Sequence, residues 1–290
     1  MGATIKTPKH IEEKIVKLYT DGYHTYDIAA LLGMYQGTVH KVIKRNNITT
    51  RTMHDYYIRD DFNYKFFDEI NDEASAYFLG LMFADGNNYI KSGDYQVAIK
   101  LQAEDKHILD TFRSFLAPNM ELIFSPRKQK HHKDGYLFRI DSKTISNQLT
   151  ALGCVPAKAL VLQYPTIPYH LQNHFIRGYF DGDGSINYYN KVFKSKISRR
   201  YAVSITSSKY FCEENIKIIK QFTNLNMYSR LAHKNLGNDI TTTISIGGNQ
   251  QVYQLMCWLY KDAAIFFKRK HDKFLELEKE INERKLAKLK

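Results

Sequence analysis

Hydrophobic and polar positions along this chain change period in a fixed order, and the order occurs twice. Phe78-Leu79-Gly80-Leu81-Met82-Phe83-Ala84-Asp85-Gly86 is an almost continuous apolar run in which Gly80 and Ala84 stand four apart, a spacing that puts both on one helix face. Alternation from Asn88 to Lys91, a Ser92-Gly93-Asp94 turn and a second alternating stretch, Tyr95 to Leu101, predict a β-hairpin with Val97, Ile99 and Leu101 on one side. Helical spacing then runs from Glu104 to Leu116 through Ile108, Leu109, Phe112 and Phe115, with Pro118 beyond its end. A second hairpin is predicted from Leu122 to Pro126 and Tyr136 to Ile140, and a helix from about Ser142 to Leu152.

The succession recurs. Ile176-Arg177-Gly178-Tyr179-Phe180-Asp181-Gly182-Asp183-Gly184 repeats the helical run with Gly178 and Gly182 four apart. It is followed by a hairpin around Ser185 to Tyr189 and Tyr201 to Thr206, a helix from Lys209 to Phe222, and strands near Tyr228 to His233 and Thr241 to Ile246. A last helix is predicted from near Asn249 to Tyr260. Each half therefore reads αββαββα, and helices over one face of a four-stranded antiparallel sheet leave the other face open.

Both apolar runs close on Asp-Gly. The glycine suits the left-handed conformation that stops a helix, while the aspartate sits at the helix end that is already negative. If the two helices pair through their small residues, Asp85 and Asp183 come close together, and such carboxylates are best tolerated around a divalent cation. For either segment alone, a core helix with an Asp-Gly turn is an adequate explanation; its recurrence favours the pair.

Residues 1–55 follow a different pattern. Pro8 to Tyr19 is amphipathic (Ile11, Ile15, Val16, Leu18), Thr25 to Leu32 is a short second helix, and Gly33-Met34-Tyr35 turns into Gln36 to Asn46. Residues 26–33 and 38–45 resemble a helix-turn-helix, with Ile28, Ala29, Leu32, Val39, Val42 and Ile43 as its core. Tyr35, Gln36, Thr38, His40 and Lys41 would then face a major groove and Lys44 and Arg45 the phosphates; the alternative is a three-helix unit for protein contacts. The stretch 49–70, with Arg51, Arg59 and Lys65, would connect the modules and lie along the DNA backbone, with Arg51 a candidate DNA contact, and it holds too much Tyr and Phe to be a purely flexible tether. The expected order is a helix-turn-helix domain at 1–55, a linker at 56–70, a first module at 71–164 and a second, with a C-terminal helix, at 165–290.

Composition fits folded modules: 290 residues with 43% hydrophobic and 13% aromatic content exclude a disordered chain. A formal charge of +12 points to a polyanionic partner. The cations concentrate in the hairpins. Arg127, Lys128, Lys130, His131, His132 and Lys133 fall in one loop, and Lys191, Lys194, Lys196, Arg199 and Arg200 fall in the first hairpin of the second half. Lys100, Arg139, Asn187 and Lys234 join them as candidate DNA contacts, and Tyr188, Tyr189 and Asn190 interleave. A solvated, solubilising loop is the alternative. Cys154, Cys212 and Cys257 are too scattered for a disulfide framework or a zinc site, and His131-His132 fits a phosphate contact better than a metal. No secretory signal or bilayer-length apolar run stands out, so a soluble intracellular protein is expected.

Over roughly residues 70–280, the paired runs at 78–86 and 176–184 and the repeated order of elements resemble the LAGLIDADG homing endonuclease family. The resemblance implies an α+β fold in which two pseudo-symmetric αββαββα modules of one monomeric chain form antiparallel β saddles on the DNA major groove, preceded by the small all-α helix-turn-helix domain. It further implies that Asp85 and Asp183, with the carbonyls of Ala84 and Gly182, hold Mg²⁺ (Mn²⁺ substituting), and that each acid serves one strand of a double-strand break with 3′ overhangs. Lys158, in Leu152-Gly153-Cys154-Val155-Pro156-Ala157-Lys158, and Lys270, in Phe267-Lys268-Arg269-Lys270-His271, match the family's basic position near each half-site; plain phosphate binding is their alternative. Gln102 would position water, with Ser207 as a loose counterpart. Asp181 matches an inner acidic position where the first half has Phe83, so the half-sites are not equivalent. Double-stranded DNA is the implied partner. A maturase binding structured intron RNA and a non-cleaving transcription regulator are the competing readings, both weakened because the two acids are retained.

Overall fold

A computed structural model of the chain describes residues 7–50, 61–127, 133–156, 162–193, 196–225, 228–233 and 240–289. Arg51, Arg59, Lys128, Lys130, His131, His132, Lys158, Lys194 and Lys234 lie outside the described residues, as does the side chain of Lys196. The chain divides into two compact units, Met1–Phe62 and Asn63–Lys290.

Among its described residues the first unit holds three helices, α1 (Lys9–Thr20), α2 (Thr25–Leu31) and α3 (Gln36–Arg45). Their apolar faces meet in a core of Ile15, Tyr19, Ile28, Ala29, Val39, Val42 and Ile43. Leu32, expected in that core, is only half-buried at its edge, because Ile15 and Tyr19 of α1 fill the centre. At Gly33 (φ 62°) the chain leaves α2: Gly33 N–H donates to Ala30 O and Met34 N–H to Ala29 O. That pair of bonds caps a helix through a left-handed residue, which glycine adopts without strain.

The second unit begins earlier than its linker-like composition suggests. Phe66, Phe67 and Ile70 are buried, and Phe66 packs 5.9 Å from Phe112 and 6.3 Å from Phe78 between ring centroids. Residues 63–70 are thus part of this core and not a tether. α4 (Glu73–Ala84) opens with a capping box in which Asp72 accepts from Ser75 N–H, and every residue from Ala74 to Phe83 is buried; a helix apolar all round belongs in a core. After it come β1 (Gly86–Lys91), β2 (Asp94–Gln102), α5 (Lys106–Leu116), β3 (Ile123–Ser125), β4 (Gly135–Asp141) and α6 (Lys143–Ala151).

The second half repeats the order with α7 (Gln172–Asp183), β5 (Gly184–Phe193), β6 (Lys196–Ser208), α8 (Lys209–Phe222), β7 (Tyr228–His233), β8 (Ile240–Gly247) and α9 (Asn249–Leu259), and adds α10 (Lys268–Leu289). The two antiparallel sheets have equivalent orders, β1-β2-β4-β3 and β5-β6-β8-β7. Gly86 pairs with Ile99 as Gly184 pairs with Ile205, so the strand registers of the two halves are equivalent at the start of each sheet. Val97, Ile99 and Leu101 are buried beneath the helices, as are Tyr201, Val203 and Ile205; alternate residues face outward.

Two expectations change. The β5–β6 ladder continues to the pair Phe193↔Lys196, so the lysine-rich segment read as hairpin loop is mostly strand; backbone pairing carries it past the last buried position. Also, Gly184 has φ −85° and Gly86 has no left-handed backbone. Their requirement is steric: a Cβ on Gly86 would lie 2.4 Å from Met82 Cε and 2.6 Å from Met82 O, and one on Gly184 would lie 2.2 Å from Phe180 Cδ2.

Candidate active site

The two apolar helices lie backbone to backbone. A Cβ on Gly80 would stand 2.0 Å from Phe175 O, and one on Gly178 would stand 1.9 Å from Tyr77 O. These contacts are reciprocal, each glycine facing the carbonyl three residues before the other. One turn further on, a Cβ on Gly182 would meet Ala84 Cβ at 2.4 Å and Asp85 Oδ2 at 3.1 Å. The carboxylate of Asp85 therefore lies against the residue that precedes Asp183. Both aspartates are exposed, although the helices carrying them are buried.

A buried polar frame ties the two helices together and to residues 259–270. Arg177 is 0% exposed and donates from Nε to Ile265 O (2.9 Å), from Nη1 to Leu259 O (2.9 Å) and His174 Nδ1 (2.8 Å), and from Nη2 to Glu73 Oε1 (2.5 Å). Glu73 also accepts from the backbone N–H of Ala264 and Ile265. Because guanidinium only donates, His174 Nδ1 must be unprotonated; burial, then the charge of Arg177, hold its pKa down at about 4. Asp181 Oδ2 accepts from Tyr77 Oη and Phe267 N–H, both at 2.8 Å. Burial raises its pKa to about 6, against the opposing charge of Lys270.

Lys270 is buried, and its ammonium donates to Phe180 O (2.5 Å), Asp181 O (2.7 Å) and Gly184 O (2.5 Å). All three N–H groups are thereby used. Expected to act on water, Lys270 instead clamps the carboxyl end of α7 around Asp183, where a cation is also favoured by the helix dipole. Burial lowers its pKa to about 8, with Asp181 and, more weakly, Asp85 acting in the opposite sense.

Residues 170–256 match the LAGLIDADG-like domain family. The chain carries a LAGLIDADG-like domain. The fold agrees with two solved LAGLIDADG proteins. One is the homing endonuclease I-GzeII in complex with its DNA target: TM-score 0.50, 13% identity, covering 75% of this chain and 92% of that one. The other is the meganuclease I-AabMI bound to uncleaved DNA: TM-score 0.50, 10% identity, covering 74% and 92%. No curated protein sequence matches the chain significantly.

In the two glycine-paired helices, the candidate ligands Asp85 and Asp183, with Ala84 and Gly182, come together at one end. The carbonyls taken by Lys270 flank Gly182 without including it. Among the described residues no group of three His, Cys, Asp or Glu side chains is poised around a common metal position; two carboxylates plus backbone and substrate oxygens make a hard, oxygen-only donor set, suited to Mg²⁺. Tyr179, four residues before Asp183, was not singled out by sequence. Burial and the Asp183 charge push its phenol pKa up, and the signal was its i,i+4 spacing. Asn88, equally unexpected, donates to Ser146 O, Thr150 Oγ1 and Cys154 O and accepts from Ser146 Oγ, pinning Cys154 to β1.

The remaining candidates divide by strand parity. Gln102 is exposed at the end of β2. The register makes Ser208, not Ser207, its counterpart; Ser207 is buried on the helix side, and Ser208 caps α8 by accepting from Phe211 N–H. Lys100 and Arg139 are exposed on the outer face of the first sheet, and Arg127 is exposed beside it. On the second sheet Asn187, Lys191 and Arg200 share the outer parity, while Arg199 does not. It shares parity with Tyr201 and Val203, lies over the Tyr188 ring at 4.6 Å and pairs with Glu280 (3.3 Å) and Glu276 (3.9 Å) of α10. Arg199 is therefore a brace on the helix side and not a contact on the open face.

In the first unit Tyr35 is 88% exposed, and Lys41 and Lys44 are exposed too. Thr38 is half-buried. Gln36 donates to Thr25 Oγ1 at 3.0 Å and His40 Nε2 lies 3.3 Å from the same oxygen, so both are tied to the start of α2. Arg45, expected to point at phosphate, pairs with Glu12 at 2.6 Å in an exposed contact, which is weak enough to exchange for another anion.

Among the described residues, no helix is long and apolar enough to cross a membrane.

Proposed function

We propose that this protein is a site-specific DNA endonuclease of the homing type, acting as a monomer through the shared centre at Asp85 and Asp183. The observation that carries the reading is the seating of the Asp85 carboxylate against Gly182 at the ends of two glycine-paired helices. That geometry concentrates negative charge from two halves of one chain at a solvent-facing point between two sheets whose outer faces carry cations.

Asp85 and Asp183, with the carbonyls of Ala84 and Gly182, would hold Mg²⁺ or Mn²⁺ there. A divalent ion so placed neutralises phosphate charge and makes a bound water nucleophilic at neutral pH. The protein's own contribution is positional. The glycine contacts fix the separation of the carboxylates, Lys270 fixes the end of α7, and Tyr179 steadies Asp183. Lys158 and Gln102 are assigned to the water network of the first half-site. Lys100, Arg127, Arg139, Asn187, Lys191 and Arg200 are assigned to the duplex, and residues 1–55, as a helix-turn-helix domain, to a flanking segment through Tyr35, Lys41 and Lys44. Each carboxylate serves one strand, and the break leaves 3′ overhangs. A maturase or a non-cleaving regulator would not need both acids exposed at one point.

The test is to incubate the purified chain with a randomised duplex library in Mg²⁺ and sequence the ends produced. Enrichment of one long sequence cut on both strands with 3′ extensions is expected. Retention of duplex without any cutting in Mg²⁺ or Mn²⁺ would instead identify a binding protein, and selective capture of structured RNA would identify a maturase.

A further inference from the structure

The two sheets start alike and end differently. β1 and β2 hold 6 and 9 residues, whereas their counterparts β5 and β6 hold 10 and 13. Because Gly86↔Ile99 and Gly184↔Ile205 are equivalent pairs, all of the extra length lies at the distal end of the second hairpin. Four more residues per strand at about 3.3 Å each extend it by about 13 Å, the length of about four base pairs at 3.4 Å per step.

The second hairpin is charged in one sense, and its extension is held at the base. Residues 184–208 contain five Lys or Arg and no Asp or Glu, whereas residues 86–102 contain Lys91 and Lys100 against Asp94. Lys191 and its partner Ser198 have the outer parity within the added length, in line with Asn187, Tyr189 and Arg200 before it. At the base of the extension Arg199, and next to it Tyr201, both reach Glu280 of α10, each at 3.3 Å, while Lys273 of α10 donates to Ile186 O at 2.9 Å and to Asn187 Oδ1 at 3.1 Å. The first half has no equivalent of α10 among the described residues. A ribbon anchored at its base, with a cationic outer face, suits a polyanion, and a two-stranded ribbon fits the major groove.

We infer that the β5–β6 hairpin reads duplex DNA about four base pairs further from the cleavage centre than the β1–β2 hairpin does, so that the target has unequal half-sites. This rests on the endonuclease reading above and specifies its substrate.

The test uses the full chain on a duplex that it selects and cuts. Hydroxyl-radical protection in Ca²⁺, together with single base-pair substitutions, should show one flank extending about four base pairs further from the midpoint of the cuts. In the double variant Lys191→Ala/Ser198→Ala, whose residues pair within the added length, protection of those outer positions should disappear and affinity fall about tenfold, with cut positions and the opposite flank unchanged. A second variant, Tyr35→Ala/Lys41→Ala, controls for the first unit: it should leave those positions protected. Equal flanks on a duplex that is cut would overturn the inference while leaving the endonuclease reading intact, as would loss of the outer protection in the α3 variant alone. Failure to select or cut any duplex would overturn both.

Discussion

The hydroxyl of Tyr77 donates to Asp181 Oδ2 across 2.8 Å, joining the two halves by a hydrogen bond sealed from solvent. Asp181 belongs to α7 and Tyr77 to α4, and the corresponding bond in the other direction does not exist, since Phe83 stands where Asp181 would. Phe83 packs on Phe175 at 5.5 Å and Phe211 at 6.1 Å instead. Arg177 likewise corresponds to Leu79. The buried polar frame, made by Glu73 and Tyr77 of α4 with Arg177 and Asp181 of α7, thus reaches residues 259–270 on one side of the pair, while the equivalent positions Leu79 and Phe83 are held by packing.

The glycine contacts leave no room for a methyl group. Gly80→Ala or Gly178→Ala would drive Cβ to about 2 Å from a backbone carbonyl, forcing the helices apart and costing at least about 3 kcal/mol. Loss of the folded second unit, seen as loss of a cooperative transition in urea, is the expected outcome. Gly37→Ala is the contrast: in α3 a Cβ there meets nothing within 4 Å, and helix propensity should gain about 0.5–1 kcal/mol. A Gly178→Ala protein as stable as the parent would contradict the close packing.

Arg177→Leu makes the second helix more like the first but strands its partners. Glu73 and the carbonyls of Leu259 and Ile265 would each lose a donor. Breaking a buried ion pair from one side costs about 3–5 kcal/mol, so denaturation midpoints should drop sharply. Glu73→Gln, which keeps an acceptor oxygen, should cost less.

How much of this was legible in sequence follows from what each residue has to satisfy. The helix pair was readable because Gly80, Ala84, Gly178 and Gly182 stand four apart in apolar runs, and close packing needs that spacing. Strand positions such as Val97, Ile99 and Leu101 declared their inner face by alternation. The same alternation exposes Arg199 as inward-facing once the register is known, but a run of cations at 194–200 reads as loop until its pairing partners are given. Phe66 and Phe67 sit in a polar stretch whose burial depends on Phe78 and Phe112, residues remote in sequence or contributed by another element. The roles of Arg177 and Lys270 depend on carbonyls some 80 to 90 residues away, and no local pattern records an acceptor at that distance.

His174 supplies a pH dependence with a definite sign. Its folded pKa of about 4 lies below the ordinary value of 6.5, because burial and Arg177 oppose a second cation, with Glu73 acting the other way. The unfolded chain therefore binds the proton more readily, so the stability contribution is complete above about pH 6.5 and is lost as pH falls towards 4. Urea titrations at pH 7 and pH 4.5 should show a steeper acid loss in the parent than in His174→Gln. Equal losses would mean that the Arg177–His174 hydrogen bond carries no proton linkage.

The most direct measurement is strand-resolved cleavage of the selected duplex by Asp85→Asn and Asp183→Asn, with binding followed in Ca²⁺. A centre shared by both carboxylates predicts that each variant binds as the parent does and loses about 10²–10³-fold or more in cutting. Either variant cutting both strands at the parental rate would contradict it.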